Sequence, residues 1–84
     1  MDLKENWLSL KVLPKAPARL LISVPKKIVP LATQRNRLKR LIRETIRLDK
    51  FFEKQPGVYH FRVTRFPGPV GLSQVRQLMS QFKD

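Results

Sequence analysis

The sequence predicts a small α+β protein, a two-layer sandwich in which helices cover one side of a three- to four-stranded sheet. Segments with alternating apolar and polar residues occupy positions 7–13, 19–24 and 57–66, a pattern typical of strands. A long amphipathic segment separates the second of these strands from the third, which makes a βαβ unit. A second amphipathic segment, residues 72–82, predicts a closing C-terminal helix.

The first two predicted strands are short and lie on either side of a proline-containing loop. In residues 7–13, the apolar side chains at every second position share one face, while Trp7 and Lys11 lie on the other. Prolines in the loop end this strand, because proline cannot donate to a ladder. We expect residues 19–24 to pair antiparallel with the first strand across that loop.

The segment from Thr33 to about Glu53 predicts a helix, with Thr33 as its N-cap and Pro56 and Gly57 after its end. At about 100° per residue, an apolar stripe lies opposite a basic face. The stripe comprises Leu38, Leu41, Ile42, Thr45, Leu48 and Phe52. The basic face comprises Arg35, Asn36, Lys39, Arg40, Arg43, Arg47 and Lys50, and Arg37 lies off this arc beside Glu44.

The third strand and the last helix follow from the same periodicities. Residues 57–66 alternate between an apolar face that includes Phe61 and a polar face that includes His60 and Arg62. As the end of a βαβ unit, this strand should run parallel to residues 19–24. Ser73 is the predicted N-cap of the helix that follows.

The charge of the chain limits the class of partner. A net charge of +12 on 84 residues indicates a polyanion, either a nucleic acid or an anionic membrane. A basic helix is often only a solvated face, but such a face usually mixes signs, whereas positions 35–47 hold six cations and one acid. A membrane-active peptide is disfavoured, because alternating strands indicate a folded core, and no apolar run approaches the roughly 20 residues of a membrane span.

Catalytic and metal sites find little support in the residues. The chain has one histidine, His60, and no cysteine, and its six acidic residues form no paired-carboxylate pattern. We therefore expect no catalytic residue, no metal site and no bound cofactor. Residues 1–84 are too few for more than one domain, which we interpret as a single RNA-binding domain.

Two further sets of residues suit nucleic acid. The loop at positions 25–30 carries Lys26 and Lys27, which could meet phosphates or simply be solvated. An open sheet face with rings and cations suits single strands, although a tryptophan at the start of a strand is more often part of the core. The candidates on that face are Trp7, Lys11, Arg19, His60 and Arg62.

The segment 35–44, which begins Arg35-Asn36-Arg37, resembles the Arg-Asn-Arg signature of the protein subunit of bacterial ribonuclease P. Residues 22–27, which end in Lys26 and Lys27, resemble the strand and Lys-Lys turn that precede this helix in the family. The resemblance covers residues 19–66 well. It implies the α+β fold shared by the ribonuclease P protein and the second domain of a small-subunit ribosomal protein.

The resemblance also implies a function. Family members bind a catalytic RNA, and the two together remove the 5′ leader from precursor tRNA in the cytoplasm. The RNA holds the Mg²⁺ ions and carries out the hydrolysis, so this chain would be an accessory subunit of an endoribonuclease. By this resemblance the RNA-docking role falls on Arg35, Asn36, Arg37, Lys39, Arg40, Arg43, Lys26 and Lys27, and the basic face of the helix adds Arg47. Leader contact falls on Trp7, Lys11, Arg19, His60 and Arg62.

The sequence departs from the family pattern near its start. Family members usually begin with a helix and a strand whose aromatic residues wall the leader cleft, whereas this chain starts almost directly at a strand. We therefore expect a short form without the usual N-terminal helix, with the wall absent or replaced by Trp7. Val29 and Pro30 also stand where a glycine is common. The alternative is a structural RNA-binding protein of ribosomal type, with no role in cleavage.

Overall fold

A computed structural model describes residues 2–15, 17–50 and 57–82. Across these residues the chain forms four strands and two helices, which confirms the predicted α+β class. The elements are β1 (Asp2–Glu5), β2 (Leu8–Pro14), β3 (Arg19–Ser23), α1 (Ala32–Asp49), β4 (Gly57–Val63) and α2 (Leu72–Met79). A 3₁₀ turn, Ser80–Phe82, follows α2 directly.

The sheet is mixed, with strand order β1-β2-β4-β3. β3 runs parallel to β4, from Arg19 opposite Val58 to Ser23 opposite Arg62, which confirms the βαβ unit. The expected pairing of β2 with β3 was wrong, because β4 lies between them. One edge of β4 pairs with β2 and the other edge pairs with β3. β2 and β3 do run antiparallel to each other, but each is hydrogen-bonded to β4 and not to the other.

The strand β1 was not predicted as a separate element. It forms a hairpin with β2, in which Glu5 lies opposite Leu8, and Asn6 and Trp7 make the turn. Asn6 adopts a φ of 52°, in the left-handed region that asparagine tolerates better than most residues. The hairpin places Leu3 against the core and brings the sheet to the upper end of the predicted range.

The core lies between one face of the sheet and the two helices. Leu8, Phe61 and Val63 from the sheet meet Ile42 from α1 and Val75 from α2, and all five are fully buried. Burying an apolar side chain of this size stabilises the fold by roughly 1.5–3 kcal/mol. The helices therefore leave the other sheet face and the outer side of α1 open.

The ends of α1 differ from those expected. Its N-cap is Leu31, which has extended backbone and makes no side-chain capping bond, so the prediction of Thr33 as N-cap was wrong. Lys50 adopts a left-handed conformation with φ 53°, and α1 ends at Asp49 rather than near Glu53. Phe52 and Pro56, which entered the prediction, lie outside the described residues.

The second helix also begins differently from the prediction. Its N-cap is Gly71 rather than Ser73, and the Gly71 N–H donates to Oε1 of Gln74 at 2.6 Å. Arg76 Nη2 donates to Asp49 Oδ1 at 2.7 Å, which joins α2 to the last turn of α1. Within the described ranges, no helix is both long enough and apolar enough to cross a membrane.

Candidate nucleic-acid interface

The outer side of α1 carries a row of exposed polar and cationic side chains, which we call the helix face. It consists of Asn36, Arg37, Arg40, Arg43 and Arg47. These residues are exposed because α1 buries Leu38, Ile42, Thr45 and Ile46 on its opposite side. Arg37, predicted to lie beside the basic arc, therefore belongs to the same exposed surface.

The cations of the helix face are mostly unpaired. Arg47 donates to Glu44 one turn earlier, and this hydrogen bond lowers the pKa of Glu44 and raises the pKa of Arg47. The described residues give Arg37, Arg40 and Arg43 no ion pair. Like charges held together on one helix side repel each other unless a polyanion neutralises them, so this face suits phosphates.

Two residues of the predicted basic face, Arg35 and Lys39, are half-buried and lie beside the core stripe. The stripe is rotated from the prediction, because Ile46 is buried while Leu48 is 40% exposed. This rotation turns Arg35 towards the loop before α1. Its Nη1 donates to the carbonyl oxygen of Val29 at 2.9 Å and to that of Pro30 at 2.7 Å.

The loop that enters α1 presents Lys26 and Lys27 to solvent. The Pro25 carbonyl accepts from Ile28 N–H at 3.0 Å and from Val29 N–H at 2.9 Å, which closes a tight turn beneath the two lysines. Val29 is fully buried and anchors the turn in the core. The first turn of α1 contains no acidic residue, so the positive end of the helix dipole adds to the charge of this region.

The uncovered side of the sheet, which we call the sheet face, forms an open groove of about 470 Å³. Lys11 lies opposite His60, and Ser9 lies opposite Arg62, across the β2–β4 pair. His60 Nε2 is 2.8 Å from the hydroxyl of Ser23 on β3. The polar residues that line the groove are Lys4, Ser9, Lys11, His60 and Arg62.

Of the five residues predicted on the sheet face, the register places Lys11, Arg19, His60 and Arg62 there. The expected position of Trp7 was wrong, because Trp7 is 8% exposed and belongs to the core. It lies in the hairpin turn, where strand alternation does not apply, and its carbonyl accepts from Thr64 N–H at 2.8 Å.

Lys4 is a member of the sheet face that the sequence prediction missed, because β1 was not recognised as a strand. Once the hairpin is placed, Lys4 lies opposite Ser9 and therefore shares its side of the sheet. The alternation of charged and apolar residues in Asp2, Leu3 and Lys4 is compatible with a strand, but it is too short to predict one.

The two faces lie on opposite sides of the sandwich, because α1 packs on the sheet surface that holds Phe61 and the sheet face is the other. Both are suited to binding phosphates through lysine and arginine. The described part of the chain contains no group of three or more His, Asp or Glu side chains placed to hold a metal ion. The arrangement therefore supports binding of a polyanion rather than covalent chemistry by these side chains.

Comparison with known proteins points to one family. The family model described as Ribonuclease P matches residues 2–81. A relative from Chlorobaculum tepidum, named Ribonuclease P protein component, is 57% identical over 37 residues, which cover 44% of this chain and 24% of the relative. The match thus spans about a quarter of the length of that curated relative.

Proposed function

This chain belongs to the ribonuclease P protein family, and from that premise we propose that it is the protein subunit of a bacterial ribonuclease P. In this function it binds the catalytic RNA and assists removal of the 5′ leader from precursor tRNA in the cytoplasm. The observation that carries the proposal is the family match over residues 2–81, which includes both the helix face and the sheet face.

The helix face is the proposed docking surface for the RNA subunit. Arg37, Arg40 and Arg43 have no ion pair within the described residues, so their guanidinium groups are available to phosphates. Lys26 and Lys27, exposed in the loop before α1, add two further cations near the N-terminal end of the helix. Each phosphate that these cations neutralise releases counterions, which favours binding most strongly at low salt.

The sheet face is the proposed contact for the single-stranded leader. Lys11 and Arg62 line the groove, and Arg19 lies on the adjacent strand β3. Apart from the His60 imidazole, no aromatic ring of the described residues lies on this face, because Trp7 and Tyr59 are buried. We therefore expect contact mainly with the leader backbone and little preference for its sequence.

The RNA subunit supplies the hydrolytic chemistry in this proposal, and Mg²⁺ is held there. The protein contributes positive charge, which offsets repulsion between the RNA and its precursor tRNA and thereby lowers the Mg²⁺ concentration that the reaction needs. It has no catalytic residue in this account and acts as an accessory subunit.

Cleavage of precursor tRNA by a bacterial ribonuclease P RNA at low Mg²⁺, with and without this protein, tests the proposal. We expect the protein to stimulate cleavage at the correct 5′ end, and we expect high Mg²⁺ to reduce the difference. A double variant, Arg40→Ala with Arg43→Ala, provides a control that retains the buried side of α1. Tight RNA binding without stimulation would instead favour a structural RNA-binding protein of ribosomal type.

A further inference from the structure

We propose that Gln34, Arg37 and Phe66 form a binding pocket for one unpaired RNA nucleotide, with its base stacked on the Phe66 ring. This pocket lies beside the helix face but is separate from the groove of the sheet face. The inference rests on the RNA-binding role proposed above, and it adds a specific contact to an RNA nucleobase.

The pocket is a concavity between the first turns of α1 and the segment that follows β4. Its volume is about 260 Å³. Its lining residues are Gln34, Arg37, Leu38, Phe66, Gly68 and Pro69. Leu38 belongs to the core and is 3% exposed, so it forms an apolar floor beneath the more exposed side chains.

Phe66 is the most exposed aromatic residue in the described part of the chain. Its side chain is 52% exposed, whereas Trp7, Tyr59 and Phe61 are buried. Leaving so large an apolar ring in water forgoes part of the roughly 1.5–3 kcal/mol that burial of phenylalanine provides. A partner that covers the ring would recover this free energy.

The backbone holds Phe66 in a defined position. Pro67 and Pro69 restrict their own φ angles, and Gly68 between them has a φ of +75°, which favours glycine. Nothing lies within 4 Å of the position that a Cβ on Gly68 would take, so the pocket is open at this edge. Because the turn already restricts the backbone beside Phe66, little backbone freedom is lost when a base stacks on the ring.

The polar side chains around the ring fit a nucleotide. Arg37 makes no ion pair within the described residues, so its guanidinium is available to a phosphate. The Gln34 amide offers both a donor and an acceptor to the edge of a base. Bases without a pairing partner stack on exposed aromatic rings, whereas bases within a duplex are already stacked. The net charge of +12 favours RNA over an apolar peptide as the occupant.

Affinity measurements with the full chain test the pocket. We expect Phe66→Ala to weaken binding of single-stranded oligoadenylate of about 12 nucleotides by at least about fivefold, and Phe66→Tyr to retain affinity. Leu48→Ala is the matched control, because Leu48 is an apolar residue that is 40% exposed, has no ring and lines neither this pocket nor the groove of the sheet face. Binding of an RNA duplex of equal length should not change. Equal affinities of the wild type and Phe66→Ala for the oligoadenylate would overturn the proposal.

The salt dependence separates stacking from charge. Arg37→Ala should reduce the slope of log affinity against log salt by about 0.7 on a single strand, while Phe66→Ala should leave the slope unchanged. A reduced slope for Phe66→Ala would indicate that the substitution disturbs Arg37 rather than a stacked base, and would contradict the proposal.

Tryptophan fluorescence gives a second and direct readout. In Phe66→Trp, the new indole should be quenched by oligoadenylate, whereas the buried Trp7 of the wild type should respond little. Quenching without stimulation of precursor tRNA cleavage would support the pocket and reject the subunit function. Stimulation without quenching, together with unchanged affinity in Phe66→Ala, would reject the pocket and leave the subunit function intact.

Discussion

The helix face and the sheet face carry similar cations but are built in different ways. All the cations of the helix face come from one element, α1, and their spacing follows directly from the helical period. The sheet face combines residues from four strands, with Lys4 on β1, Lys11 on β2, Arg62 on β4 and Arg19 on β3. The first surface is convex and locally encoded, while the second is a groove that depends on strand register.

This difference suggests different partners. Guanidinium groups on a convex helix reach the phosphates of a folded RNA, and this contact does not require the RNA backbone to follow a particular path. A groove across several strands follows an extended single strand along its length. A substitution that shifts the register of the strands should therefore weaken binding at the sheet face more than binding at the helix face.

The largest expected effect is a loss of stability when a buried residue beneath the helix face is truncated. Ile42 is fully buried, so Ile42→Ala should lower the free energy of unfolding by about 2–5 kcal/mol. Chemical denaturation measures this loss. Where the variant remains folded, its RNA affinity should match that of the wild type, because the exposed arginines are unchanged. Reduced affinity in the folded variant would contradict the separation of packing from binding.

Arg35 lies on α1, but its role differs from that of the arginines on the helix face. Its guanidinium bonds the carbonyl groups of Val29 and Pro30, so Arg35→Ala should destabilise the fold by about 1–2 kcal/mol. We also expect faster amide hydrogen exchange in the loop that carries Lys26 and Lys27. Thermal unfolding and hydrogen exchange measure these two changes.

Arg40→Ala is the matched control for Arg35→Ala, because it removes the same group from the outer side of the same helix. It should leave the unfolding free energy unchanged and reduce the salt slope of RNA binding by about 0.9. Should Arg35→Ala reduce that slope without loss of stability, Arg35 would be an RNA contact rather than a support for the loop.

The sheet face should respond to the leader and not to the RNA subunit. Lys11→Ala should weaken binding of a precursor tRNA with a single-stranded leader and reduce its salt slope by about 0.7. Mature tRNA, which lacks the leader, provides the comparison and should bind the variant and the wild type alike. An equal loss for both ligands would show that Lys11 does not contact the leader.

The smallest effect concerns the acidic residue on α1. Arg47 holds the pKa of Glu44 below its ordinary value, so the stabilising pair is complete above that ordinary pKa and is lost as the pH falls through the lowered one. Glu44→Gln should therefore remove this dependence from acid unfolding curves, with a small change in stability because the pair is exposed. It should also raise RNA affinity slightly at neutral pH, since Arg47 is released.

Local patterns predicted much of this molecule. The period of α1 located Arg40 and Arg43 on its outer side, and the alternation in β4 separated Phe61 from His60 and Arg62. These features depend on neighbours in sequence, so periodicity alone is sufficient to find them.

The features that were missed depend on distant parts of the chain. Strand order follows from which edge of β4 each strand occupies, and neither β2 nor β3 encodes that choice locally. Trp7 matched the alternation of a strand but lies in a turn, and only the β1–β2 hairpin reveals this. The hydrogen bonds from Arg35 to the carbonyl groups of Val29 and Pro30 depend on the conformation of a loop, and a loop has no periodic sequence pattern from which it could be predicted.

The most direct test of the two-face account compares two double variants that each remove two positive charges. Arg40→Ala with Arg43→Ala alters the helix face, and Lys11→Ala with Arg62→Ala alters the sheet face. Affinity for a bacterial ribonuclease P RNA, measured across a salt series, should fall strongly for the first pair, with a slope reduced by about 1.8, and little for the second. Equal losses for the two pairs would mean that only net charge matters, and would contradict the assignment of separate roles to the two faces.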